Sequence, residues 1–248
     1  MRNIWTIAKR EYDQYFISPI AYVVAVSLLV LTGGYFGVLL LAANQQAASG
    51  YGFVPGVTDV NNLFGFLMLI SVPALTMRVL ADETRTGTIE LLLTAPVRDF
   101  ELVAGKWLGS FMFVVTLALV TGIYPVILNA QVSPGIDLKL LTSSYLGLIL
   151  LAGAFVALGV GISAIFSNQV TAFISTLALF IILWWLIGIP ASILPTGGDL
   201  FRYLMVNSHF ADSLNAGTIE LTDLVYFFSL IATGLFTGTV AIEIRRWK

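Results

Sequence analysis

No Asp, Glu, Lys or Arg occurs between Gln14 and Thr58, nor in residues 60–77, 107–136, 140–198 and 224–242. This spacing constrains the fold more than any motif does. An apolar helix crosses the hydrocarbon core in about 20 residues, and an Asp, Lys or Arg at its centre costs about 2.5–3.5 kcal/mol. Each charge-free stretch is therefore a place where the chain can lie in a bilayer. Four of them hold one span apiece, and the first leaves over the polar loop Asn44 to Thr58. Residues 140–198 are long enough for two, with a break at Ser167-Asn168-Gln169. The spacing predicts an all-α polytopic membrane protein, a single domain over 1–248. Its six spans are expected near 20–42, 60–79, 104–129, 142–166, 170–194 and 222–243.

Composition excludes the main alternatives. Of 248 residues, 58% are apolar and 10% charged, whereas soluble domains carry about 25% charged residues. A net charge of −2 offers no footprint for nucleic acid. The absence of cysteine removes disulfides and thiolate metal sites. If both ends are cytoplasmic, that side holds Arg2, Lys9, Arg10, Arg78, Arg85, Arg98, Lys106, Arg245, Arg246 and Lys248, against Lys139 and Arg202 outside. The asymmetry predicts that both termini are cytoplasmic, and a multi-pass protein of the cell inner membrane is expected. Leu41-Ala42-Ala43 resembles a cleavage site. However, Glu11 and Asp13 precede it and the apolar stretch exceeds the about 7–15 residues of a signal peptide, so an uncleaved first span is expected.

The polar pieces carry pattern of their own. In residues 1–18, Ile4, Trp5, Ala8, Tyr12, Tyr15 and Phe16 recur at helical spacing, with Lys9, Arg10, Glu11 and Asp13 between them. That predicts an amphipathic helix lying on the membrane surface, ended at Ser18-Pro19. Residues 81–98 combine Asp82, Glu83 and Arg85 with Gly87, Thr88, Ile89, Glu90, Leu91 and Leu92, then stop at Pro96. A helix from about Thr88 to Thr94 is too short to stand alone, so another surface must cover its apolar side. Asp99 is expected to cap the next helix, with Glu101 in its first turn. The connector 195–221 reads as partly helical and re-entrant or surface-bound. Phe201, Leu204, Met205, Phe210 and Leu214 form its apolar side; Arg202, His209, Asp212 and Asn215 form its polar one. Gly33/Gly37, Gly105/Gly109 and Gly234/Gly238, with the stripe Gly153, Ala157 and Gly161, offer close-packing or dimer faces.

No catalytic or metal set is visible. His209 has no second His, and its neighbour Ser208 cannot be activated from an adjacent position. Gly105-Lys106 is followed by Trp107, not the Ser/Thr of a nucleotide loop. The spans hold no charge relay of the kind ion-coupled transport uses. A membrane domain without its own engine, carrying a docking element on one side, fits an external ATPase.

The run Asp82-Glu83-x-x-x-Gly87-Thr88-Ile89-Glu90-Leu91-Leu92-Leu93-x-x-Pro96, followed by Gly105-Lys106, resembles the signature of type-two ABC exporter permeases. More narrowly, Ser18-Pro19-Ile20-Ala21-Tyr22, Thr76-Met77-Arg78, Ser167-Asn168-Gln169-Val170, His209-Phe210 and Arg245-Arg246-Trp247 resemble the gliding-motility-associated branch. The resemblance implies an N-terminal elbow helix (Trp5, Lys9, Arg10, Glu11), a coupling helix in 81–98 seated in a groove of an ABC ATPase subunit, and outer helices that close the exit. It also implies a second permease copy or related permease, ATP and Mg bound by the ATPase with no cofactor in this chain, and an accessory membrane protein with an outer domain in that branch. From the residues alone, a stand-alone channel or secondary transporter, or a structural membrane anchor, remains open.

Overall fold

The computed structural model describes residues 2–48, 55–87, 97–132, 135–193 and 197–246. Among them the chain is helical, with no strand. Helix α1 (Arg2–Tyr15) precedes α2 (Pro19–Ala48), α3 (Val57–Thr76), α4 (Ala81–Thr86), α5 (Asp99–Val120) and α6 (Ile123–Gln131). Then come α7 (Leu138–Ile165), α8 (Gln169–Trp184), α9 (Ile189–Ile193), α10 (Gly198–Leu204), α11 (Val206–Phe210) and α12 (Leu221–Arg246). Six stretches are long and apolar enough to cross a membrane: Pro19–Gln45, Val57–Thr86, Asp99–Gln131, Leu138–Ile165, Gln169–Ala191 and Leu221–Arg246.

The break between the fourth and fifth spans is a capped helix start, Asn168 Oδ1 accepting from the Val170 and Thr171 amides. At the third span the helix begins on Asp99 itself rather than after it. Glu101 reaches back to accept from the Arg98 amide at 3.2 Å, so the acid that closes the turn is Glu101 and not Asp99.

Lipid tails are as apolar as Leu, so helices in a bilayer associate through close packing and polar contacts. The glycines supply that packing here. Helix α7 is the axis, with 83% of its most apolar stretch buried, against 17% for the first span and 22% for the fifth. It lies against α12, where a Cβ on Gly161 would come within 2.5 Å of the Gly234 carbonyl and one on Gly234 within 2.5 Å of the Ala157 carbonyl. Phe155 stacks on Phe180 at 4.1 Å to join α7 to α8. Two more glycines of α5 seat α1: a Cβ on Gly105 would meet the Ile7 Cβ at 2.7 Å, and one on Gly109 the Ala8 carbonyl at 2.5 Å. Helices α1, α5 and α12 thereby meet at the end of the bundle that carries both termini. The stretch 198–217 closes the opposite end, with Val206, Phe210 and Leu214 fully buried.

Candidate functional site

Seating α1 on the glycines of α5 brings Glu11 over Lys106. The Lys106 Nζ lies 3.1 Å from Glu11 Oε2 and 2.8 Å from Glu83 Oε1, joining α1, α4 and α5 through one buried cation. Lys106 is 5% exposed; an ammonium so deep requires paired, hydrogen-bonded carboxylates, and two of its three donors are used here. Tyr15 continues the junction. Its hydroxyl is 2.9 Å from Ser110 Oγ on α5 and 3.4 Å from the Leu75 carbonyl on α3, and its ring stacks on Phe113. Burial, with Glu11 adding to it, pushes the Tyr15 phenol well above its ordinary range. The Arg78 guanidinium stands 5.8 Å from the centre of the same ring.

Around this hub, further polar bonds tie in the remaining helix ends. Asp82 accepts from Gln169 Nε2 at 2.7 Å, linking α4 to the start of α8, and pairs with Arg85 at 3.0 Å. Gly87, at φ 75°, closes α4 in a left-handed cap. Arg246 pairs with Asp99 at 2.7 Å, Arg245 donates to the Ile165 carbonyl at 3.0 Å, and Asn3 donates to Glu101 at 3.2 Å.

Asp82, Glu83, Arg85 and Gly87 therefore lie at or beside the hub, while Thr88, Ile89, Glu90, Leu91, Leu92 and Pro96 fall outside the described residues. Glu11 belongs to the hub; Trp5, Lys9 and Arg10 point away from it, Trp5 at 56% exposure. The sequence puts Trp5 and Phe16 on the apolar face of α1, but the buried face consists of Ile7, Ala8, Tyr12 and Tyr15. Close approach to Gly105 and Gly109 selects the side of the helix that packs. Gly153, Ala157, Gly161, Gly234 and Gly238 all serve packing within the chain, whereas a Cβ on Gly33 would meet the Tyr124 side chain at 3.1 Å and one on Gly37 nothing within 4 Å. Lys106 in this role and Gln169 escape sequence reasoning, because their partners lie far away along the chain.

At the opposite end, His209 and Asn215 are buried rather than on a polar surface. His209 Nε2 lies 2.7 Å from the Tyr203 carbonyl, which can only accept, so that nitrogen carries a proton; Nδ1 faces Asp223 Oδ1 at 2.7 Å. The imidazole stacks on Tyr226 at 4.1 Å, and Ser213 donates to the other Asp223 oxygen. Asn215 donates to the Thr58 carbonyl and to Asn62 Oδ1 at 2.9 and 2.8 Å. Phe210 is in the core, and Phe201 and Leu204 are half-buried. The Ser208 hydroxyl donates to the Met205 carbonyl at 2.7 Å, so it is bonded to backbone. His209 thus clasps the connector to α12, and among the described residues no three His, Cys, Asp or Glu side chains gather to hold a metal.

Six apolar helices, one of them the buried axis, with an ionic hub under one end, make this a multi-pass membrane protein. Residues 5–197 match the family described as ABC-2 family transporter protein, and the chain belongs to that family. Proteins of this family are permeases, the transmembrane component of ABC transporters. Among curated proteins it is similar to "Probable ABC transporter permease protein NosY" of Stutzerimonas stutzeri, 25% identical over 169 residues covering 64% of this chain and 60% of that protein. The protein of the same name from Pseudomonas aeruginosa is 27% identical over 177 residues, covering 69% of this chain and 63% of the relative. In both cases the match spans less than two thirds of the relative's length. These matches support the type-two permease class; none of them supports the narrower gliding-motility branch.

Proposed function

We propose that this chain is the membrane-spanning half of an ATP-driven exporter, moved by a separate ABC ATPase subunit that grips it at residues 81–98. The observation that carries this reading is the Lys106 junction: Glu83, at the head of the docking region, shares one buried cation with Glu11 and α5. A displacement of α4 is therefore passed to the third span and to the elbow helix together. ATP and Mg belong to the ATPase, and this chain supplies the load-bearing helices.

A second copy, or a related permease, completes the pathway. The first and fifth spans, least buried within the chain, offer it a surface, and the bilayer covers the rest. In this reading the hub end is cytoplasmic, as the distribution of Lys and Arg requires, and the protein resides in the inner membrane. The segment with Phe201, Leu204, His209 and Phe210 closes the exit, where an accessory membrane protein with an outer domain can meet it. Span interiors without charge favour a lipidic or amphipathic load over a small ion. To test the docking, Arg85→Glu is combined with Glu90→Lys, and co-purification of the ATPase and stimulation of its hydrolysis are measured. Loss of both supports the reading; full retention of both removes it.

A further inference from the structure

Ser163 lies on α7 with no exposed surface. Its hydroxyl meets the second span where that span is broken: α3 ends at Thr76 and α4 begins at Ala81. The Leu80 and Ala81 amides both donate to Ser163 Oγ at 3.1 Å, and the Ser163 hydroxyl donates to the Met77 carbonyl at 3.2 Å. A helix start is ordinarily capped by the side chain just before it, but Leu80 has none that can cap. One hydroxyl from another span supplies the cap. One turn earlier on α7, Gly159 leaves room for Thr76; a Cβ there would collide with the threonine side chain. Thr76 turns its own hydroxyl back to the Val72 carbonyl at 2.9 Å. The break is thus held on both sides by α7, the most buried helix of the bundle.

We propose that Ser163 is a positioning residue for coupling: its hydroxyl sets the angle at which Ala81–Thr86 leaves the second span and so where the ATPase-facing segment stands against Lys106 and Gln169. This rests on the reading that 81–98 receives the ATPase. Because the Leu80 and Ala81 amides are bonded to α7 and not to α3, α4 pivots without unwinding α3. A push on α4 is delivered to the bundle axis through the Ser163 hydroxyl.

Two measurements on the full chain in lipid nanodiscs test this. In the first, hydrogen exchange of the Leu80 and Ala81 amides is followed: Ser163→Ala accelerates it by about tenfold, the loss of their one acceptor, and Ser163→Thr keeps it slow. In the second, the ATPase subunit is added. Ser163→Ala retains it in normal amount but loses most of the stimulated hydrolysis, and Ser163→Thr restores that stimulation. Unchanged exchange in the alanine variant overturns the proposal, as does full stimulation despite fast exchange. Should Ser163→Ala not fold, Ser163→Cys, a weaker acceptor, is read for the same ordering. Failure of the docking reading looks different: the wild-type chain then neither retains nor stimulates the ATPase, whatever the two amides do.

Discussion

Replacing Lys106 by Met removes the cation that Glu11 and Glu83 share at 3.1 and 2.8 Å. At an effective dielectric of about 20, unit charges about 3 Å apart attract by about 5–6 kcal/mol. Desolvation cancels most of this, since the three side chains are only 6%, 12% and 25% exposed. The triad as a whole is therefore worth little, but a broken triad is costly. Lys106→Met strands two carboxylates against apolar helices and destabilises the chain by about 3–5 kcal/mol. The triple variant Lys106→Met, Glu11→Gln, Glu83→Gln strands none and returns to within about 1 kcal/mol of the native chain. Unfolding free energies in mixed micelles distinguish the two. In complex with the ATPase, both variants lose stimulated hydrolysis, because the triple variant restores stability without the ionic link. A triple variant as unstable as the single one, or a single variant as stable as the native chain, would refute the reasoning.

Other substitutions probe the packing and the opposite end. Gly234→Leu drives a side chain into the Ala157 backbone and destabilises by about 1–3 kcal/mol or more, while Gly37→Leu leaves the unfolding free energy of the isolated chain unchanged. Gly109→Val lifts α1 from α5, and trypsin then cuts at Lys9 and Arg10 faster than in the native protein. His209→Phe leaves Asp223, 3% exposed, without its imidazole; a loss of about 1–3 kcal/mol is expected, read as faster hydrogen exchange across 198–217. Asn215→Leu costs about 1–3 kcal/mol by stranding the Thr58 carbonyl and the Asn62 side chain, measured by the same unfolding assay.

The helices were legible because a bilayer penalises charge so heavily that gaps between charged residues mark them almost directly. The break at Asn168 was equally plain, since an amide at that position is a cap by nature. What the linear pattern hides is pairing at a distance. Lys106 looks like an end marker, yet it sits buried, neutralised by residues from α1 and α4. His209 and Asn215 look like surface groups, yet each finds buried partners: Asp223 and the Tyr203 carbonyl for one, Thr58 and Asn62 for the other. Trp5 misleads in the opposite sense, because the face of α1 that packs is selected by the two glycines of α5 and not by the bulk of its own side chains. Ser163 gave almost no signal. A lone serine in an apolar helix becomes informative only once the break in the second span is seen beside it.

The central claim, that a separate ATPase grips the hub end and drives an otherwise passive membrane domain, is tested most directly by cross-linking. The chain has no cysteine, so single cysteines placed at positions 85, 90 and 202 are unique handles for a short bifunctional reagent in membranes that contain the ATPase subunit. The account predicts cross-links to that subunit from 85 and 90 and none from 202. Cross-links from 202 alone, or ATP hydrolysis by the purified chain without any partner, would contradict it.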